Sequence, residues 1–311
     1  MHPSLALLTL LLALPLDLAF GEPPTALHPV GWMARLISLF SRCRPRRQRG
    51  QLLAGGLMVV TVAGLSAGVG LVIVRLFAHL PAWTQVLLGA AVLKMTFSLR
   101  ELLVAAANVR RSLETDDLEA ARLGLRALVS RNPDLESPLM VSVAVESVAE
   151  NLTDSLVAPL VFFALLGLPG ALAYRAVNTM DAMLGYHGEN EFFGKAAARL
   201  DDLLNLIPSR PAGLLLCLAA ALQGRGQRAW LIMWRQHART ESPNAGWPMA
   251  AMAGALCVRL EKRGHYLLGD PCRPLTPELI GEANRLVSTA AALAVLVIAI
   301  GLEVVRYAGA R

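Results

Sequence analysis

Apolar residues fall along this chain in long runs separated by compact polar blocks, not at the spacing of helices that show one face to water. The clearest run is Leu52 to Val74. At 1.5 Å per helical residue, about 20 residues cross a bilayer's hydrocarbon core, so this stretch predicts a membrane span. Its Gly55, Gly56, Gly64, Gly68 and Gly70 predict close helix packing. Leu286 to Val305 predicts the last span. Leu5 to Phe20 is also apolar, but no Lys or Arg precedes it and Leu18-Ala19-Phe20 is a poor cleavage site, so it is expected to be retained. Trp83 to Leu99 is a further candidate, interrupted by Lys94, which either snorkels to the interface or faces protein, water or an anionic partner. Leu156 to Ala173 contains Pro159, Gly167, Pro169 and Gly170, which suits a broken or re-entrant element as well as a full span. Pro211 to Leu222 is only marginally long.

Between these runs the pattern changes. Arg100 to Asn132 mixes Leu118, Arg122, Leu125 and Val129 with many charges behind an acidic Glu114-Thr115-Asp116-Asp117 start, predicting an amphipathic helical hairpin in the cytoplasm. Trp230 and Trp234 alternate with Arg228, Arg235 and Arg239 as in an interfacial helix, and Ser242 to Pro248 reads as a loop. The expected fold is therefore all-α: a polytopic helical membrane protein with about 4–5 transmembrane or re-entrant segments, cytoplasmic amphipathic helices and one membrane-embedded domain over residues 1–311.

Composition supports lipid as the solvent. The chain is 55% hydrophobic and 17% charged, against about 25% charged in a typical soluble domain. The net charge of +6 sits beside the apolar runs without the aromatic interleaving that stacks on bases, so nucleic acid is not expected. Arg35, Arg42, Arg44, Arg46, Arg47 and Arg49 have no acidic residue among them and place their loop in the cytoplasm. The four cysteines form no C-x-x-C pair and have no zinc-finger histidine spacing.

The candidate chemistry begins at Glu146, Glu150 and Asp154. On a helix, three carboxylates four residues apart line one face, and beside apolar Leu156 to Leu168 they call for a divalent metal or a basic group in compensation. Asn178 and Asp181 follow, three apart, and then Tyr186, Lys195, Arg199, Asp201, Asp202, Asn205 and Arg210. Asp201-Asp202 resembles the paired acids that hold Mg²⁺ against a substrate phosphate. Arg175, Lys195, Arg199 and Arg210 could clamp phosphate oxygens, pointing to a phosphorylated or nucleotide substrate. No P-loop, dinucleotide fingerprint, H-E-x-x-H or G-x-S-x-G is present.

Together these blocks are more specific than their chemistry. Glu146-Ser-Val-Ala-Glu-Asn151, Asp154, Gly167-Leu-Pro-Gly-Ala171, Tyr174-Arg-Ala-Val-Asn-Thr179, Asp181, Gly185-Tyr186, Ala198-Arg-Leu-Asp-Asp202, Asn205 and Arg210 resemble, in order and spacing, the adenosylcobinamide-phosphate synthase family of cobalamin biosynthesis, CobD/CbiB. The resemblance extends to Asp17, Phe20-Gly-Glu-Pro23, His28-Pro-Val30 and Ser242-Pro-Asn-Ala-Gly246. Departures at Ser155, Asn132-Pro133, Leu256-Cys257 and Leu267-Leu268 spare the acidic and basic residues and bear on substrate preference and loop geometry.

The resemblance implies an amide-forming ligase of the bacterial inner membrane with its active site on the cytoplasmic side. It would join the ring D carboxylate of adenosylcobyric acid to the amine of an aminopropanol phosphate or a related aminoalcohol, with ATP as co-substrate and Mg²⁺ as the expected ion. In this scheme Glu146, Glu150, Asp154 and Asp181 act on the substrate ammonium or a metal ion, and Asp201 and Asp202 hold the metal. His28 or a carboxylate takes the amine proton. Arg175, Lys195, Arg199 and Arg210 hold phosphates, while Asn151, Asn178, Tyr186, Asn205, Ser242 and Asn244 complete the substrate contacts. The expected partners are the corrinoid, the aminoalcohol phosphate and membrane lipid, with a homo-oligomer left open. The rival readings are a membrane transporter, which should show symmetry between its halves, and a Mg-dependent phosphoalcohol or prenyl transferase.

Overall fold

The computed structural model describes residues 3–24, 26, 28–128, 135–185 and 190–309. Helices dominate, and three helical stretches among the described residues are long and apolar enough to cross a bilayer: Gln48–Phe77, Ser137–Leu184 and Glu278–Ala308. A fourth arises only if the bent pair Glu191–Asn205 and Ser209–Ala221, which meet at 51°, counts as one span. The chain divides into two compact units.

The first unit comprises Met1–Ser98, Ala158–Leu204 and Val295–Arg311. Its helices are α1 (Pro3–Phe20), α2 (Pro29–Arg42), α3 (Gln48–Phe77), α4 (Ala82–Lys94), α8 (Ala158–Leu184), α9 (Glu191–Asn205) and the end of α13 (Glu278–Gly309). α2 starts where His28 Nδ1 accepts the Val30 N–H at 3.1 Å and Pro29 occupies the first turn, where a missing donor costs nothing. Its buried Met33 and Ile37 meet Met58, Val59 and Val62 of α3 and Ala176, Val177 and Met180 of α8 in the unit's core. The other side of α3 leaves Leu53, Leu57, Val60, Leu65, Val69 and Val72 exposed, an arrangement that hydrocarbon solvates and water does not.

Of the five glycines expected to pack along α3, two lie at contacts. A Cβ on Gly70 would sit 2.7 Å from Pro169 Cα and one on Gly55 would sit 2.1 Å from the Phe193 carbonyl oxygen, whereas nothing lies within 4 Å of Gly56, Gly64 or Gly68. The expected break in Leu156 to Ala173 falls at Gly167, whose φ of 68° and ψ of −160° belong to a region essentially restricted to glycine.

The candidate span Trp83 to Leu99 does not form. α4 stops at Lys94, the chain turns through Met95 to Ser98, and a separate helix starts at Leu99. Thr96 Oγ1 donates to the Leu93 carbonyl at 2.7 Å across that turn. Lys94 does not snorkel, because its side chain is only 7% exposed and lies beside two acids.

The second unit comprises Leu99–Val157 and Asn205–Ala294. α5 (Leu99–Glu114) and α6 (Leu118–Leu125) form the expected amphipathic hairpin, with Leu102, Ala106, Val109 and Leu113 buried along one stripe and Asp117 capping α6 through the Ala120 N–H. Val129, expected in the same pattern, lies outside the described residues. α7 (Ser137–Leu152) runs into a π-helical turn, Thr153–Val157. α10 (Ser209–Ala221) and α11 (Gly226–Gln236) pack on α12 (Gly246–Leu256). Every residue of α12 is buried. Because it is apolar on all sides it has no amphipathic signature, and its first residues read in sequence as part of the Ser242 to Pro248 loop.

The all-α expectation also misses a short antiparallel hairpin, β1 (Leu260–Lys262) with β2 (Tyr266–Leu268), in which Leu260 pairs with Leu268 and Lys262 with Tyr266. Each strand has three residues, too few for an alternating pattern to be visible in the sequence.

Candidate functional site

In the first unit, α8 and α9 present a polar relay. Asn178 and Asp181 share a face of α8. The Asn178 side-chain carbonyl accepts from Arg175 Nη1 at 3.3 Å, and its amide reaches Asp201 Oδ1 at 3.5 Å. Asp201 is buried. Asp202 is the neighbour whose charge acts on Asp181. Asp201 and Asp202 are consecutive residues of α9, and consecutive helical residues point about 100° apart. Lys195 and Arg199 are exposed on α9, with Lys195 Nζ 6.0 Å from the Phe192 ring centroid. Tyr186 lies outside the described residues.

The same unit holds a second polar cluster. His28 Nε2 pairs with one oxygen of Glu22, Lys94 Nζ lies 3.2 Å from the other, and Asp17 Oδ1 is 3.9 Å from Lys94. Asp17 is fully buried. His28 Nδ1 accepts the Val30 N–H, which leaves Nε2 as the ring nitrogen that faces Glu22. The structure thus places His28, the expected base, beside Glu22 and the buried Lys94. Burial pushes the Glu22 carboxyl up, but the His28 and Lys94 contacts outweigh it and hold it below the usual carboxyl range.

In the second unit, Glu146 is buried and its carboxylate is held by hydroxyls. Ser142 Oγ donates to Oε1 and the Tyr266 hydroxyl to Oε2, both at 2.8 Å. Ser142 Oγ also accepts the Glu261 N–H at 2.8 Å, which ties α7 to β1. Burial, followed by the Glu146 carboxylate, pushes the Tyr266 phenol up, so its O–H stays a donor. Lys262 on β1 adds the nearby positive charge that the sequence around Glu146 lacks.

Glu150 and Asp154 are half-buried. The row runs on one α-helical face only from Glu146 to Glu150, because the π-helical turn changes the angle per residue before Asp154. Asn151 gives its amide to the Ser147 carbonyl at 2.9 Å and accepts from Ser155 Oγ at 3.2 Å.

Arg210 belongs to another knot in this unit. Its Nη1 donates to Asn244 Oδ1 at 3.1 Å, to the Leu206 carbonyl at 2.5 Å and to Ser209 Oγ at 3.2 Å, and its guanidinium lies 5.2 Å from the Trp247 ring centroid. Trp247 stacks in turn on His237 with centroids 3.9 Å apart. Ser242 Oγ accepts from the N–H groups of Asn244 and Ala245, so it shapes the entry to α12. Asn205 is buried.

Among the described residues no three His, Cys, Asp or Glu side chains gather as a metal cage. Mg²⁺ does not require one, since it commonly takes one or two carboxylates and fills its octahedron with water and substrate phosphate. Site-forming residues to which the sequence assigned no role are Glu22, Lys94, Ser142, Tyr266 and Trp247. Of these, Lys94 stood out as a charge within an apolar run, and Glu22 lies in the Phe20-Gly-Glu-Pro23 block of the family resemblance.

The sequence model of the family described as "CobD/Cbib protein" matches residues 10–294. The chain is 46% identical over 295 residues to "Cobalamin biosynthesis protein CobD" of Dehalococcoides mccartyi, covering 94% of this chain and 96% of that protein. It is 43% identical to "Probable cobalamin biosynthesis protein CobD" of Methanothermobacter thermautotrophicus, covering 90% and 92%. It is 37% identical to "Cobalamin biosynthesis protein CobD" of Klebsiella pneumoniae, again covering 90% and 92%. No solved structure matches. With a family match across nearly the whole chain and relatives aligned over nearly their full length, the chain belongs to the CobD/Cbib protein family.

Proposed function

We propose that this protein is a polytopic membrane enzyme of cobalamin biosynthesis, an adenosylcobinamide-phosphate synthase that joins the ring D carboxylate of adenosylcobyric acid to the amine of an aminopropanol phosphate or a close relative. The observation that carries this reading is the family match over residues 10–294, together with relatives named for cobalamin biosynthesis that align along nearly their whole length. The apolar outer side of α3 supports the placement in a bilayer. The reading places the protein in the bacterial inner membrane with the arginine run before α3 in the cytoplasm, and it takes Leu156 to Ala173 and Pro211 to Leu222 as partial or re-entrant insertions that keep the acids and arginines on the side where ATP is present.

In the proposed reaction a C–N bond forms between the amine nitrogen and the carboxyl carbon. The C–O bond to the activated oxygen breaks, and the amine proton leaves to a base. ATP activates the carboxylate as a co-substrate by transferring a phosphoryl group with release of ADP, or an adenylyl group with release of pyrophosphate, to the oxygen that then departs as phosphate or AMP. When bound, Mg²⁺ would neutralise phosphate charge, with Asp201 and Asp202 as its protein ligands and Asp181 as a further carboxylate whose charge Asp202 affects. The Arg175–Asn178–Asp201 relay suits a positioning role, because Asn178 is oriented on one side by a cation and on the other by a carboxylate.

The test is conversion by the purified full-length protein in detergent or nanodiscs. Adenosylcobyric acid, ATP, Mg²⁺ and an aminoalcohol phosphate should yield the amide, identified by the mass of the corrinoid. A protein that stays folded and makes no amide with either aminopropanol or ethanolamine phosphate would refute the reading.

A further inference from the structure

The β1–β2 hairpin and the turn around Arg239 border a cavity of about 520 Å³, lined by Arg239, Glu261, Lys262, His265, Tyr266 and Leu267. This volume lies within the range of small-molecule sites, about 300–1,000 Å³. Its charges are mixed. Arg239, Lys262 and His265 supply donors, and Glu261 supplies a carboxylate. Glu241 adds another, 2.8 Å from His265 Nδ1 and 3.7 Å from Lys262 Nζ. Arg239 is anchored by a 3.3 Å bond to the Leu267 carbonyl, and Lys262 Nζ sits 5.8 Å from the Tyr266 ring centroid. The Glu241 pairs are solvent-exposed and weak, so an incoming anion can replace the carboxylate at little cost.

A cleft with both signs of charge and little net charge is complementary to a small zwitterion. We propose that this cleft binds a molecule carrying both a phosphate and an ammonium group, with Arg239, Lys262 and His265 on the phosphate and the Glu261 and Glu241 carboxylates on the ammonium. Tyr266 lines the cleft and gives its hydroxyl to Glu146 at 2.8 Å, so an occupant is coupled to the buried acid through one side chain. Identification of the zwitterion as the aminoalcohol phosphate rests on the function proposed above; the cleft and its charge pattern do not.

The experiment is calorimetric titration of the full-length protein in neutral detergent with O-phosphoethanolamine, and separately with inorganic phosphate, ethanolamine, ATP, and anionic or neutral lipid vesicles. O-phosphoethanolamine should bind more tightly than phosphate or ethanolamine alone. Arg239→Gln with Lys262→Gln should weaken it at least tenfold without lowering the thermal midpoint. If that double variant does not fold, Leu267→Cys carrying a bulky maleimide should block binding, with the parent protein labelled in parallel to account for its exposed Cys43 and Cys272. Unchanged affinity in the folded double variant or the labelled protein overturns the proposal, as does binding only of ATP or only of anionic vesicles. Binding lost with the variants in a protein that makes no amide would sustain the cleft and refute the enzyme reading. Amide formation with an unchanged KM for the aminoalcohol phosphate in the double variant would do the reverse.

Discussion

Lys94 Nζ lies 3.2 Å from Glu22 Oε1, with the ammonium buried at the C-terminal end of an apolar helix. A cation is stable there because Glu22 and Asp17 both face it. Removing one member of such a buried group leaves the remaining charges uncompensated, at a cost of about 3–5 kcal/mol. Lys94→Met should therefore lower the unfolding midpoint in detergent substantially, and adding Glu22→Gln should restore part of the loss. A Lys94→Met protein that melts with the parent would show that the pair contributes nothing.

The same contact gives stability an acid limb. The Glu22 carboxyl is held below its ordinary value of 4.5, so its contribution is complete above that value and disappears as pH falls through the lower value of the folded state. Glu22→Gln should be less stable than the parent at neutral pH, and the two should converge on acidification below about 4.5. Melting curves across pH 3 to 7 would check this, and parallel profiles for the two proteins would count against it.

Helix packing gives a paired test on α3. Gly70→Ala places a methyl 2.7 Å from Pro169 Cα and 2.9 Å from its nitrogen, both backbone atoms that cannot swing aside. Such overpacking costs about 1–3 kcal/mol. Gly64→Ala meets nothing within 4 Å and should be neutral or stabilising by up to about 1 kcal/mol. Unfolding in detergent should separate the two variants, and equal midpoints would refute the close approach of α3 to α8.

The acidic relay is tested by charge removal without change of shape. Asp201→Asn and Asp202→Asn should each reduce amide formation by about 100-fold or more, while leaving membrane insertion and yield unchanged. If the two carboxylates hold Mg²⁺, raising Mg²⁺ should partly rescue each single variant. Turnover at the parental rate in both variants would remove the relay from the mechanism.

The Tyr266 hydroxyl gives a further check. Tyr266→Phe removes one of the two hydroxyls that donate to Glu146 and leaves the Ser142 bond in place. Loss of a donor to a buried acceptor costs about 1–3 kcal/mol. The unfolding midpoint of this variant should fall, whereas Leu267→Ala on the exposed side of β2 should barely move it.

Much of this protein was legible in its chain alone, because the bilayer imposes a length rule that local composition satisfies or fails. The span-length apolar helices α3 and α13, the break at Gly167 and the α5–α6 hairpin each arise from properties within a short window: run length, a residue able to adopt positive φ, and a capping aspartate. The family was legible too, since spaced acidic and basic blocks are a local record. Tertiary structure decided what local composition cannot encode. It ended α4 at Lys94, whose acidic partners lie more than seventy residues earlier in the sequence. It brought Asn178 to Asp201, 23 positions on, and supplied the Glu146 carboxylate with a hydroxyl from β2, 120 positions away. It also buried α12 on every side, so that no face was left polar enough to mark the helix. A buried charge is stable only beside its partner, and the identity of that partner is set by how distant segments pack.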